Sequence, residues 1–176
     1  MYKIVSMKSI VGILITVLLF SCNSNQEKKE IDWDKQKSIE MNQRIAQKEK
    51  LDIAMYLEHR KMLKMKQTGS GLYYGVYKTT EGDSARTGME AGVKYVITFL
   101  NGDTCYVTPK DEIVYFKIDK TDIESGVQEG IKKMKEGEKA VFIIPSHLAH
   151  GITGDNNKIP PITPLVVDVE LLKLTN

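Results

Sequence analysis

Ile123-Glu124-Ser125-Gly126-Val127-Gln128-Glu129-Gly130-Ile131-Lys132-Lys133-Met134-Lys135-Glu136-Gly137-Glu138-Lys139-Ala140-Val141-Phe142-Ile143-Ile144 reads as one short helix running into one apolar strand. The helix is expected over residues 123–134. Lys135-Glu136-Gly137 ends it, because glycine takes the left-handed backbone that closes a helix at little cost. The following run is apolar and β-branched, which suits a strand. Upstream the period is again that of strands, over residues 72–78, 93–100, 104–107 and 113–118. Asn101-Gly102 between two of these is a strong hairpin signal, since both residues tolerate positive φ. Downstream, a loop holding Pro145, Pro160, Pro161 and Pro164 leads to a last strand over residues 165–174. Antiparallel strands around a single short helix make the expected fold class α+β.

The region before residue 67 has a different character. Lys3 and Lys8 precede an apolar run at residues 10–20, which ends at Ser21-Cys22. A basic start, a short apolar core and a small residue form the pattern of a secretory signal. The run is shorter than the roughly 20 residues that a bilayer span needs. Leu19-Phe20-Ser21-Cys22 resembles a lipobox, so residues 1–21 are expected to be a lipoprotein signal peptide with Cys22 lipidated. Residues 22–30 are polar without apolar period and read as a tether. Residues 31–66 lack both Gly and Pro and are rich in helix formers. Leu51, Met55, Met62 and Met65 recur at helical spacing and are expected to line one face. A homodimerising coiled coil, a helix packed on its own domain and a semi-rigid spacer all fit this ragged stripe. Thr68-Gly69-Ser70-Gly71 is expected to break the helix and mark the start of the domain, residues 67–176.

Charge and cysteine content narrow the function classes. The chain has 176 residues with 25 basic and 23 acidic side chains. Removal of Lys3 and Lys8 with the signal would leave 23 of each. Such a balance gives nucleic acid no cationic footprint. Cys22 and Cys105 are the two cysteines of the chain, so lipidation of the first precludes an internal disulfide. Cys105 reads as a small buried strand residue.

Further motifs extend beyond the opening stretch. Gly126-Val127-Gln128-Glu129-Gly130 and Met134-Lys135-Glu136-Gly137-Glu138-Lys139 are followed by Ile144-Pro145-Ser146-His147-Leu148-Ala149-His150-Gly151. Ile159-Pro160-Pro161 comes next, and Val167-Asp168-Val169-Glu170-Leu171-Leu172 closes the set. In this order and spacing, from about Leu72 to the end, the chain resembles the FKBP-type peptidyl-prolyl isomerases. With its lipobox and helix it is similar to small FKBP-like lipoproteins associated with gliding motility. The resemblance implies an antiparallel sheet wrapped around the short helix, preceded here by a long N-terminal helix. It implies an apolar hollow lined by Tyr95, Phe116, Ile123, Val127, Ala149, His150, Ile159 and Val167. The backbone N–H of Glu124 would meet a substrate carbonyl there. No cofactor or metal is implied, and the partners would be proline-containing polypeptides. With the signal and the lipid on Cys22, the protein would be membrane-anchored in the cell envelope and face the periplasm.

The sequence also departs from the family. Where the family usually has a Phe-Asp pair after the hairpin, this chain has Cys105-Tyr106. Val127, His150 and Val167 stand where aromatic residues are usual. Loss of aromatic walls widens a hollow and weakens its grip on a prolyl ring. Two functions therefore stay open: an isomerase assisting the folding of exported proteins, which is favoured, and a catalytically weak chaperone or envelope-complex subunit on the same scaffold.

Other chemistries fit less well. His147 and His150 lie three apart without the helical His-Glu-x-x-His pattern of a zinc site. Ser146 lacks a nucleophile elbow. Gly151-Ile152-Thr153-Gly154-Asp155 lacks the Gly-Lys-Ser/Thr of a phosphate loop. Asp122 and Glu124 are expected to serve the N-terminus of the short helix.

Overall fold

Among the described residues, seven strands pair antiparallel in one sheet, and glycines in the short helix set how closely it lies on that sheet. The computed structural model describes residues 35–176. The expected signal peptide, Cys22 and the tether lie outside the described residues. In chain order the elements are α1 (Lys35–Glu58), β1 (Lys66–Gln67), β2 (Tyr73–Lys78), β3 (Glu90–Thr98), β4 (Thr104–Val107) and β5 (Val114–Lys117). They continue with α2 (Ser125–Ile131), β6 (Lys139–Ile144), a 3₁₀ turn (Ser146–Leu148) and β7 (Leu165–Thr175). The sheet order is β1-β2-β6-β7-β3-β4, with β5 also on β3. On one edge β3 pairs with β5 along Glu90–Val93 and with β4 along Val96–Thr98; on the other it pairs with β7 along Glu90–Thr98, with a register shift at Gly92/Val93. The fold is α+β with one short helix on the sheet and one long helix before it, as the residues imply.

The inner face of the sheet packs on α2. Phe142, Ile144, Leu165, Leu171, Ile131 and Met134 are all essentially inaccessible to solvent. Two glycines set the distance between helix and strand. A methyl at Gly126 would stand 2.3 Å from Ile144 Cγ2, and one at Gly130 would stand 2.5 Å from the Phe142 ring. Carbon atoms in contact normally sit about 3.5–4.0 Å apart. The helix can therefore lie on β6 at this depth only because both positions lack Cβ. Gln128, between the two glycines, fixes the entry to the helix: Oε1 accepts from the Asp119 N–H at 2.9 Å, and Nε2 donates to Thr121 O at 2.9 Å.

The outer face is covered by α1. Ile53 packs with Val141, Ile143 and Val166, flanked by Tyr56, Leu57, Leu63 and Met65. With both faces covered, β6 has no polar alternation, which explains the unbroken run Ala140 to Ile144.

Three sequence expectations are corrected here. The helix stops at Glu58, before residue 66, and Lys66 and Gln67 already pair with Tyr74 and Tyr73 of β2. Thr68-Gly69-Ser70-Gly71 does not end the helix but forms the turn of that hairpin, with Gly71 at φ 102° and its N–H donating to Thr68 O. The buried face of α1 is Glu49, Ile53, Tyr56 and Leu57, whereas Leu51, Met55 and Met62 face solvent and, of the expected stripe, Met65 packs against the Ile53 cluster. The methionine stripe misled because packing selects the face whose partners exist on the sheet, and Val141, Ile143 and Val166 take Ile53.

The helix–strand contact yields a direct test. Gly130→Ala should lower stability by up to about 2 kcal/mol, since overpacking costs roughly 1–3 and the helix regains about 1 from alanine. Gly69→Ala, with nothing within 4 Å of the added methyl, should change the melting temperature little. Thermal melts of both variants decide it, and equal melting temperatures would contradict the close packing.

Candidate active site

Between α2 and the strands β3, β5 and β7 lies a hollow of about 380 Å³. Its walls come from alternate positions of neighbouring strands, because residues two apart share a face. β3 contributes Val93, Tyr95 and Ile97, β5 contributes Val114 and Phe116, and β7 contributes Val167 and Val169. α2 adds Val127, the turn before it adds Thr121, Ile123 and Glu124, and the loops add His150 and Asp155.

Of the residues singled out in the sequence, the structure brings Tyr95, Phe116, Ile123, Glu124, Val127, His150 and Val167 together around this hollow. Ala149 and Ile159 do not line it. Ile159 is only 3% exposed and packs into the core, with its N–H held at 2.7 Å by Asp155 Oδ1. Ala149 packs against the same core, its N–H donated to Ser146 O. Their burial is spent on shaping the loop. Val93, Ile97, Val114 and Val169 were missed, although the strand period places each two residues from a named wall. Tyr115 and Thr121 line it too, with no such period to mark them.

One edge of the hollow is polar. Glu124 begins α2 with extended backbone (φ −54°, ψ 130°), and its side chain makes no capping bond. Capping suits short side chains that reach back to the first free N–H groups. The longer Glu124 instead carries its Oε1 to 2.9 Å from His150 Nε2, which corrects the expected helix-terminus role. Its carbonyl accepts from Val127 and Gln128. Among the described residues, no acceptor takes the Glu124 N–H.

Tyr106 and Asp155 form the second polar pair, and neither role was legible in the sequence. Tyr106 stands where an aromatic wall seemed lost, yet it lines the hollow. Its hydroxyl donates to the Asp155 carboxylate and accepts from Asn157 Nδ2 at 3.1 Å. Lys158 reaches over the Tyr106 ring, 5.0 Å from its centroid, while donating to Cys105 O at 3.1 Å. The loop is thus clamped onto the β3–β4 hairpin. The Tyr106 hydrogen bond, with the N–H groups of Asn157 and Ile159, holds the Asp155 carboxyl down at about 2. The same bond pushes the Tyr106 hydroxyl up. Cys105 is buried, its Sγ donating to Ile97 O at 3.3 Å, and burial pushes its thiol up, which leaves it a poor nucleophile. Among the described residues, no cluster of three His, Cys, Asp or Glu side chains could hold a metal ion.

Comparison with known proteins gives the geometry a family context. A family profile described as FKBP-type peptidyl-prolyl cis-trans isomerase matches residues 79–172. An FKBP-type peptidyl-prolyl cis-trans isomerase FkpA of Buchnera aphidicola is 33% identical over 126 residues, covering 69% of this chain and 50% of that protein. The FkpA of Escherichia coli K12 is 34% identical over 111 residues, covering 61% and 39% respectively. The crystal structure of FkpA from Escherichia coli aligns with 99% of this chain and 84% of its own, at 26% identity and a TM-score of 0.62. The chain spans half or less of the length of the curated relatives named here.

The Tyr106–Asp155 pair has a pH consequence. A carboxyl depressed in the folded state stabilises the fold above its unfolded value of about 3.9. That contribution is lost as pH falls through about 2. Tyr106→Phe should raise the Asp155 carboxyl toward 3.9, as read from its carbon-detected NMR titration. An unchanged titration would mean that the backbone donors alone set it.

Proposed function

The chain belongs to the FKBP-type peptidyl-prolyl cis-trans isomerase family, and from that premise we propose that it catalyses cis/trans isomerisation of X–Pro bonds. The observation that carries this reading is an apolar hollow with the backbone N–H of Glu124, which no acceptor takes among the described residues, at its edge. Rotation about a peptide bond is opposed by about 18–20 kcal/mol because resonance gives the C–N bond double-bond character. The twisted amide has lost that resonance and its charge separation. Apolar walls therefore favour the twisted state over the planar one, and such differential binding is what accelerates a reaction. Tyr95, Phe116, Ile123, Val127 and Val167 act as the walls that hold the prolyl ring. The Glu124 N–H holds the substrate carbonyl, and the Glu124–His150 pair forms the rim. The reaction needs no nucleophile, metal or proton transfer.

A second reading keeps the scaffold and discards the catalysis. It rests on Val127 and Val167, whose small side chains grip a ring less than aromatic walls do, and it makes the protein a binding module. A prolyl-peptide isomerisation assay separates the two. The wild-type protein should exceed the uncatalysed rate, and Tyr95→Ala should reduce kcat/KM about tenfold, equivalent to ~1.4 kcal/mol of transition-state contact. Wild-type activity at background would remove the isomerase and leave the binding module.

The N-terminal pattern supports a membrane-tethered protein of the cell envelope acting on exported polypeptides. Lys3, Lys8, the apolar run at residues 10–20 and Cys22 carry that reading. None of the described helices is long and apolar enough to cross a membrane. Labelled palmitate should enter the wild-type protein in cells and be absent from Cys22→Ala. Label persisting in the variant would refute the lipid site.

A further inference from the structure

We propose that Glu49 of α1 is a positioning residue for the site: it fixes the turn that carries His150 and thereby sets the imidazole against Glu124. The catalytic part of this inference rests on the isomerase reading above; its structural part does not.

Glu49 is only 9% exposed. A carboxylate removed from water must find donors or lose several kcal/mol. Both of its oxygens end on one residue. The Ser146 N–H donates to Oε1, and the Ser146 hydroxyl donates to Oε2 at 3.0 Å. Hydrogen bonds to a charged acceptor are roughly twice as strong as neutral ones, so Ser146 is the best-anchored residue of its turn. The Ser146 carbonyl in turn accepts from Ala149 N–H at 3.0 Å and Gly151 N–H at 2.8 Å. Those two residues flank His150. No helix or strand contains residues 149–151, and Gly151 sits at φ 62°. The N–H groups on either side of His150 therefore end on one carbonyl, whose owner is held by Glu49, while Gly151 O accepts in turn from the Ile162 N–H at 2.8 Å and His150 O from Thr153 Oγ1 at 3.4 Å.

The link also crosses the sheet. α1 lies on the outer face with Val141, Ile143 and Val166, whereas the hollow opens on the inner face beside Val167. Pro145 and Ser146, at the end of β6, are where the chain passes from one side to the other. A second tether, His147 Nε2 to Ser70 O at 3.0 Å, holds the same turn to the β1–β2 hairpin without touching Ser146. Misplacing a group by about 1 Å can cost on the order of 100-fold in rate, so an anchor of this kind bears on catalysis as well as on stability.

The test uses the full chain with Glu49→Ala, Glu49→Gln and Ser146→Ala. Three quantities are measured: the His150 imidazole NMR signals, the melting temperature, and kcat and KM for a proline-containing peptide. In Glu49→Ala the His150 signals should shift and broaden, and kcat should fall about tenfold with KM changed less than about twofold. Glu49→Gln keeps an acceptor oxygen for the Ser146 N–H and should return both readouts to within about threefold of wild type. Wild-type His150 signals and kcat in a Glu49→Ala protein that merely melts lower would reduce Glu49 to a stabilising contact and overturn the proposal. If Glu49→Ala does not fold, Ser146→Ala decides, because it removes only the hydroxyl bond: shifted His150 signals support the proposal, unchanged ones overturn it. Should the wild type fail to isomerise the peptide, the isomerase reading falls alone, and the His150 signals still settle the positioning claim.

Discussion

Helix α2 touches β6 with no side chain of its own at two points, Gly126 over Ile144 and Gly130 over Phe142. That closeness decides where empty space can remain. A helix pressed onto β6 leaves its gap over β3, β5 and β7, and those strands line the hollow together with Tyr106 of β4, with β6 contributing nothing to it. Val127, next to Gly126, is the helix residue that faces this gap. The glycine pair therefore does more than permit packing. It tilts the volume of the interior to one side and leaves a cavity of about 380 Å³ where a well-filled core would otherwise close.

Much of this was legible in the chain because the period of apolar residues is a direct trace of burial. The run from Lys139 to Ile144, the short helix before it and the Asn101-Gly102 turn each carry a local signal strong enough to place an element. That run also has no polar alternation, and such a strand needs cover on both faces, which α1 completes. What stayed hidden depends on pairing across long separations. Nothing local marks Asp155 as the partner of Tyr106, 49 residues away, or Glu49 as the anchor of Ser146, 97 residues away. The methionine stripe at Leu51 and Met55 misled for the same reason, since a helix of mixed composition does not reveal which face meets a partner until the partner is known.

The polar edge of the hollow has its own logic. Aromatic walls are few at Val127, His150 and Val167, and in their place the rim carries two paired carboxylates, Glu124 with His150 and Asp155 with Tyr106. Each carboxylate is met by a specific partner, Glu124 by the His150 imidazole and Asp155 by the Tyr106 hydroxyl, so neither is left unsatisfied. The loop bearing His150 and Asp155 has little regular structure. It is held by side chains from three directions: Glu49 at Ser146, Tyr106 and Lys158 at the hairpin, and the Asp155 carboxylate along its own backbone.

The central claim is that this hollow holds a proline with the Glu124 N–H on its carbonyl. It is tested most directly by titrating a short proline-containing peptide into the isotope-labelled protein and following backbone amides and methyl groups by NMR. The Glu124 amide and the Val127 and Val167 methyl groups should move together and saturate at a common peptide concentration. Perturbations confined to other surfaces, with these three unmoved at saturation, would contradict the account.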